Sequence, residues 1–100
     1  MSEEWKSYNE NYEVSTLGNV RNKKTFRILK PWLSGSGYYK CQVGKNRLRK
    51  RVNRMVAETF LTNENNLPVC DHINHIRTDN RVENLRWVSY RDNNLNRTKK

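Results

Sequence analysis

Cysteine occurs only twice in these 100 residues, at Cys41 and Cys70. Two thiols make no disulfide framework, and reduced cysteines are the expectation for a cytosolic setting. No apolar run approaches the roughly 20 residues that span a bilayer, and Met1 to Tyr8 lacks a signal peptide's apolar segment. A membrane span is therefore not expected, and the chain reads as intracellular. The two prolines and four glycines punctuate turns without marking a linker, and neither an internal repeat nor a low-complexity block is present. Acidic residues are also scarce. Ten Asp and Glu face twenty Lys and Arg, a net charge of +10 that implies a polyanionic partner. Charge alone does not separate DNA, RNA and an anionic membrane surface, but charge combined with ten aromatics favours nucleic acid. Three Trp, five Tyr and recurrent Val, Leu and Ile argue against disorder throughout. A chain this short builds one small domain, burying about two-thirds of its unfolded surface.

The fold class expected is α+β, as two closely packed parts within one compact domain: residues 1–52, rich in short strands, and residues 53–100. Tyr12, Val14, Val20, Ile28 and Leu29 lie in brief segments separated by turn material at Ser15 to Asn19 and Asn22 to Lys24. Tyr38 to Val43 and Arg47 to Val52 flank Gly44-Lys45-Asn46 as a hairpin. Strand alternation then puts Arg47, Arg49 and Arg51 on one face at about 7 Å spacing, comparable to phosphate separation. Six of the ten residues from Lys45 to Arg54 are basic and none is acidic, so the segment cannot neutralise itself. DNA contact by Lys45, Arg47, Arg49, Arg51 and Arg54 is the expectation; the bland alternative is a solvated outer face. Val52, Met55, Val56, Thr59 and Phe60 recur at helical spacing and predict a helix to Leu61, ended by Asn63 to Asn66 and Pro68. A strand at Val69-Cys70, a polar loop, a strand from Leu85 to Val88 and a helix from Ser89 to Asn96 complete the chain, with Ser89 as cap and Asp92 in the first turn. Trp5 and Trp87 read as core, and so, more narrowly, do Trp32, Tyr38 and Tyr39, whose alternative is base stacking.

Hydrolysing a phosphodiester requires an activated water, a hard cation, and groups that hold both. Residues 71–93 contain those types: a carboxylate at Asp71, an imidazole at His72 that titrates near neutrality, and amides at Asn80, Asn84 and Asn93. Carboxylate and amide oxygens form a hard set suited to Mg²⁺ or Mn²⁺. Taken singly, an Asp-His pair is a loop cap beside a satisfied histidine, and three asparagines are turns. Composition and spacing alone reach a basic nucleic-acid-binding domain with a candidate metal site.

The stretch from Cys70 to Asn93, CDHINHIRTDNRVENLRWVSYRDN, resembles the core of phage-type HNH endonucleases. Val52 to Phe60, VNRMVAETF, resembles the helix ahead of that core. WKSY followed by YEVSTLGNVRN, between Trp5 and Asn22, is similar to the amino-terminal module of many homing endonucleases of this class. Together the three cover nearly the whole chain in the expected order. The resemblance implies a ββα-metal unit in the carboxyl-terminal half, packed with a basic antiparallel sheet that positions double-stranded DNA. It further implies Asp71 and Asn93 as ligands of a single Mg²⁺ or Mn²⁺, His72 as general base, and Asn84 as the residue that steadies the loop and through it the imidazole. Products carrying 5′ phosphate and 3′ hydroxyl follow from it, as do cutting of one strand per site and a phage gene in a bacterial host. No further specificity module follows Asn96 here, so modest sequence preference is expected.

The pattern departs from the family in two places. Asn53 stands where the preceding helix usually carries His, which matters because an amide can keep a hydrogen bond but not a charge. His75 stands where the loop commonly carries Gly, and reads either as a surface residue or as a contact to phosphate. Isolated Cys41 and Cys70 lack zinc-ligand spacing. Two rivals remain open on the sequence: a non-enzymatic DNA-binding or phage accessory protein retaining the fold, with Asn53 as its signal, and an RNA-binding module using the arginines. Monomer and dimer are equally compatible.

Overall fold

A computed structural model of the chain describes residues 3–43 and 49–97, with side chains through residue 94. Three short strands, β1 (Trp5–Ser7), β2 (Tyr12–Ser15) and β3 (Val20–Asn22), form an antiparallel meander in that order. Val14 and Val20 are paired opposite each other and both are buried, so the one apolar face of this small sheet is turned to the core. A second meander joins β4 (Trp32–Leu33), β5 (Tyr39–Gln42) and β6 (Arg49–Arg51). The antiparallel pairing of the two segments is as expected, but Lys40 pairs with Arg51 and Gln42 with Arg49, one residue off the register that a three-residue turn at Gly44-Lys45-Asn46 would set. Its tip, and with it Lys45 and Arg47, lies outside the described residues.

Helix α1 (Val52–Phe60) starts one residue after β6. Val52 therefore opens the helix and does not close the strand, because Val52, Met55 and Val56 together make an apolar stripe that a strand would split between two faces. All three are 1% exposed or less, and the helix packs against strands of both sheets and against the carboxyl-terminal hairpin. The core cluster accordingly mixes Val14, Val20, Cys41 and Val43 with Met55, Val56, Cys70 and Leu85. After α1, Asn63 ties its own amide to both polar backbone groups of Leu67 at 2.8 and 2.9 Å, closing the turn that leads to Pro68.

The last unit is two strands and a helix: β7 (Val69–His72), β8 (Leu85–Val88) and α2 (Tyr90–Arg97). β7 runs two residues farther than the apolar pair Val69-Cys70 suggests, since Asp71 and His72 pair with Arg86 and Leu85. Ser89 caps α2 through its Oγ, which accepts from the Asp92 amide at 3.0 Å, the cap expected from the sequence. Architecture is thus α+β, with antiparallel sheets throughout.

Several aromatics depart from expectation. Trp32 is 38% exposed, not core, because β4 is a two-residue edge strand with little to cover it. Trp87 and Tyr39 do pack against the core. Trp5 is half-buried beneath the Arg21 guanidinium, 4.0 Å from its ring centre. Both cysteines are buried and unpaired, and burial pushes their thiols up to about 11 for Cys41 and about 12 for Cys70, leaving them protonated at neutral pH.

Candidate active site

Adjacent residues on a strand point to opposite faces. On β7 this sends Cys70 and His72 inward, both under 7% exposed, and turns Asp71 to the other face, where Arg86 across the hairpin donates Nε to its carboxylate at 3.0 Å. His72 is 4% exposed. Its Nε2 lies 2.8 Å from Oδ1 of Asn80, itself buried. The Tyr38 ring stands beside it, tilted, with centroids 6.0 Å apart.

The segment between β7 and β8 is long, yet it is held closely by amides. Asn84, at the end of a 3₁₀ turn from Val82, accepts from the Asn74 backbone amide at 3.0 Å and donates to Asn74 Oδ1 and to the Asp79 carbonyl, both at 2.9 Å. Its own carbonyl accepts from Ile73 at 2.8 Å. Asn74 in turn donates to Asp79 Oδ2. Because Ile73 follows His72 directly, this lattice fixes the chain where the imidazole leaves the strand. The Arg81 guanidinium on Asp79, helped by Asn74, lowers that carboxyl from 3.8 to about 2. His75 sits exposed at φ 65°, a left-handed backbone that glycine adopts more readily.

Asn53 does not reach toward the loop. Its Nδ2 donates to the Cys70 carbonyl at 3.2 Å, and the Cys70 thiol faces the Asn53 carbonyl at 3.5 Å. An amide at this position thus holds β7 to α1 just ahead of Asp71, and no charge is needed for that. Its Oδ1 is buried with no hydrogen-bond partner. Arg54 is occupied as well: Nη1 donates to the Pro68 carbonyl at 2.9 Å and the guanidinium lies 5.2 Å from the Trp87 ring centre.

On β6, Arg49 and Arg51 share a face, as strand alternation requires. Arg49 lies over Trp32 at 5.6 Å and Arg51 over Tyr38 at 4.1 Å. Arg77, from the loop after His72, also lies over Tyr38, at 5.3 Å, and donates to the Ser36 carbonyl at 2.8 Å. The basic aromatic surface therefore runs up to the imidazole. Sequence reasoning missed Arg77 as a member of this group and preferred a core role for Tyr38, with base stacking as the alternative; the aromatic-next-to-arginine composition was visible, but not which arginine meets which ring.

Family models match this chain in two places: the NUMOD4 motif over residues 3–44 and HNH endonuclease over residues 62–95. The DNA endonuclease I-HmuI of Bacillus phage SP01 is 33% identical over 90% of this chain and 55% of its own length. The chain carries an HNH endonuclease domain behind a NUMOD4 motif and is homologous to I-HmuI. An uncharacterized HNH endonuclease, L245 of Acanthamoeba polyphaga mimivirus, is 31% identical over 91% of the chain and 28% of its own length. The solved structure of the HNH homing endonuclease I-HmuI, described for its DNA binding and cleavage, superposes with a TM-score of 0.80 at 34% identity, covering 94% of this chain and 57% of that one. The chain thus spans about half the length of I-HmuI and less than a third of the mimivirus relative. HNH endonucleases generally use a divalent metal ion.

The donor set on β7 and α2 fits such an ion. Asp71 offers carboxylate oxygens, and Asn93, half-buried on α2, offers an amide oxygen from a helix that packs against β7 and β8. Among the described residues no group of three His, Cys, Asp or Glu side chains converges as a metal cage. Carboxylate and amide oxygens are hard donors of the kind a divalent cation takes, and the isolated cysteines lack the spacing of structural zinc. Among the same residues no helix is long and apolar enough to cross a membrane.

Proposed function

We propose that this chain hydrolyses phosphodiester bonds in duplex DNA with His72 as general base and one divalent ion, Mg²⁺ or Mn²⁺, held by Asp71 and Asn93. The observation that carries this reading is the immobilised imidazole: His72 is buried, hydrogen-bonded at Nε2, and anchored through Ile73 by the Asn84 lattice, one residue from the Asp71 carboxylate. A general base works only when its geometry is fixed with respect to the water it deprotonates. When bound, the ion supplies positive charge to the phosphate and the leaving 3′ oxygen. The chain's own residues do the rest. His72 takes the proton of the attacking water as the water oxygen bonds to phosphorus, Asn84 keeps the strand end and loop in place, and the phosphorus–3′ oxygen bond breaks, the 3′ oxygen taking a proton from solvent, to leave 5′ phosphate and 3′ hydroxyl.

DNA is held by the surface of Arg49, Arg51 and Arg77 over Trp32 and Tyr38; Lys45 and Arg47, the other contacts expected from the sequence, lie outside the described residues. Arg54, bound to Pro68 and Trp87, serves the fold in this reading and not the duplex. Asn80 belongs to the imidazole and His75 to the loop surface. Asn53 keeps β7 in place through its bond to Cys70 without a charge, so the amide at this position is compatible with the enzymatic reading. A virus- or phage-borne enzyme acting on intracellular DNA is the setting implied.

Nicking of supercoiled plasmid with Mg²⁺ or Mn²⁺ tests the proposal. Wild-type protein nicks, whereas His72→Ala and Asp71→Ala bind DNA as wild type does and fail to nick. Equal binding with no nicking by any of the three overturns it.

A further inference from the structure

His72 is held from one side only by its own loop. The other support comes from the amino-terminal meander. The turn between β2 and β3 presses on Asn80: Gly18 has φ +87°, and a Cβ there would stand 2.8 Å from both Asn80 Cβ and the Asn80 carbonyl oxygen. The Thr16 carbonyl accepts from the Val82 amide at 2.8 Å, so the turn grips the chain on both sides of Arg81. No side chain fits between Gly18 and Asn80, and Asn80 is 5% exposed.

Asn80 Oδ1 is an acceptor only. Facing His72 Nε2 at 2.8 Å, it requires the hydrogen of the neutral ring to be on Nε2, which leaves the lone pair on Nδ1. We propose that Asn80 is the positioning residue that selects this tautomer, and that the Gly18 turn of the amino-terminal motif holds Asn80 in register, so that the meander is part of the support of the general base and not only a DNA-binding appendage. The inference rests on the reading of His72 as general base. It adds which nitrogen takes the proton of water, Nδ1, and which remote turn keeps it available.

The test is the tautomer of His72 in the metal-free full chain, read from two-bond proton–nitrogen correlations of ¹⁵N-labelled protein at alkaline pH, with His75→Gln to assign the two rings. Wild type is expected to show protonated Nε2 and bare Nδ1. Asn80→Leu should give a mixture of tautomers and nick plasmid roughly 100-fold more slowly, whereas Asn80→Asp, which keeps an acceptor at the same place, should restore the wild-type ring pattern. Gly18→Asn tolerates the left-handed backbone but adds a Cβ against Asn80, and is expected to move the His72 signals toward those of Asn80→Leu. Gly35→Ala, whose Cβ would meet nothing within 4 Å, should leave them unmoved. A wild-type ring protonated on Nδ1, or a folded Asn80→Leu with the wild-type pattern, overturns the role of Asn80. A folded Gly18→Asn with wild-type His72 signals overturns the role of the turn. If that variant does not fold, the nuclear Overhauser contact between Gly18 Hα and Asn80 Hβ in wild type decides, and its absence overturns it. Failure of wild type to nick would sink the endonuclease reading instead, a result separate from the ring spectra.

Discussion

The loop from Ile73 to Asn84 and the sheet of β4 to β6 are both polar, but they are polar in different ways. In the loop, neutral amides bond to backbone and to each other, and the residues that matter most, Asn80 and Asn84, are buried. In the sheet, arginines lie over half-exposed aromatic rings, with the charges left toward solvent. Directional bonds between buried amides fix positions to a fraction of an ångström and are indifferent to salt. Guanidiniums on rings present charge that is screened by salt and tolerant of small displacements. The difference teaches that one region is suited to fixed geometry and the other to attraction, the division of labour that the proposed nuclease activity would need between its bond-breaking atoms and its grip on the duplex.

Substitutions on each side sharpen that division. The largest effect is expected at His72: replacement by Ala should lower the single-turnover nicking rate by roughly 10² to 10⁴-fold with DNA affinity unchanged, measured on labelled duplex. Arg51→Ala should do the reverse, weakening binding several-fold and lowering the slope of log affinity against log salt by about 0.9, with nicking at saturating DNA nearly intact. A comparable drop in nicking for Arg51→Ala would show that the two regions are not separate. Asn84→Ala removes three side-chain hydrogen bonds from a buried lattice and should cost about 2–3 kcal/mol in denaturant unfolding, together with a loss of nicking.

Acid should touch the loop before the sheet. The Arg81 hydrogen bond holds the Asp79 carboxyl at about 2, below its ordinary 3.8. A lowered folded-state value contributes stability that is present above the unfolded value and is lost as the pH falls from about 4 toward 2. Hydrogen exchange at loop amides such as Arg81 and Asn84 should accelerate in that window while amides of β5 and β6 stay protected. The smallest effect is expected at His75→Gly, which relieves a left-handed backbone and should raise stability by no more than about 1 kcal/mol.

Much of this was legible in the sequence because it is local. Helix α1, the Ser89 cap and the hairpin of β5 and β6 follow from spacing and turn residues within ten positions or so, and the Asp71 to Asn93 pattern drew the carboxyl-terminal unit correctly. Even the stretch Ser15 to Asn19 read as a turn. What spacing cannot encode is where a turn lands, so the contact of Gly18 with Asn80, 62 positions apart in the sequence, had no local signal. Trp32 read as core for the same reason, since exposure of an edge strand depends on what fails to cover it. Arg54 looked like its basic neighbours, yet one turn of helix carries it to Pro68 and Trp87. The role of Asn53 was likewise hidden until β7 came alongside α1.

Pairing the two readouts on one variant tests the division most directly: DNA affinity and Mg²⁺-dependent single-turnover nicking of His72→Ala beside wild type. Unchanged affinity with nicking reduced at least to the hundredfold level is the predicted result. A variant that binds and nicks as wild type does would contradict the assignment of the chemistry to this imidazole.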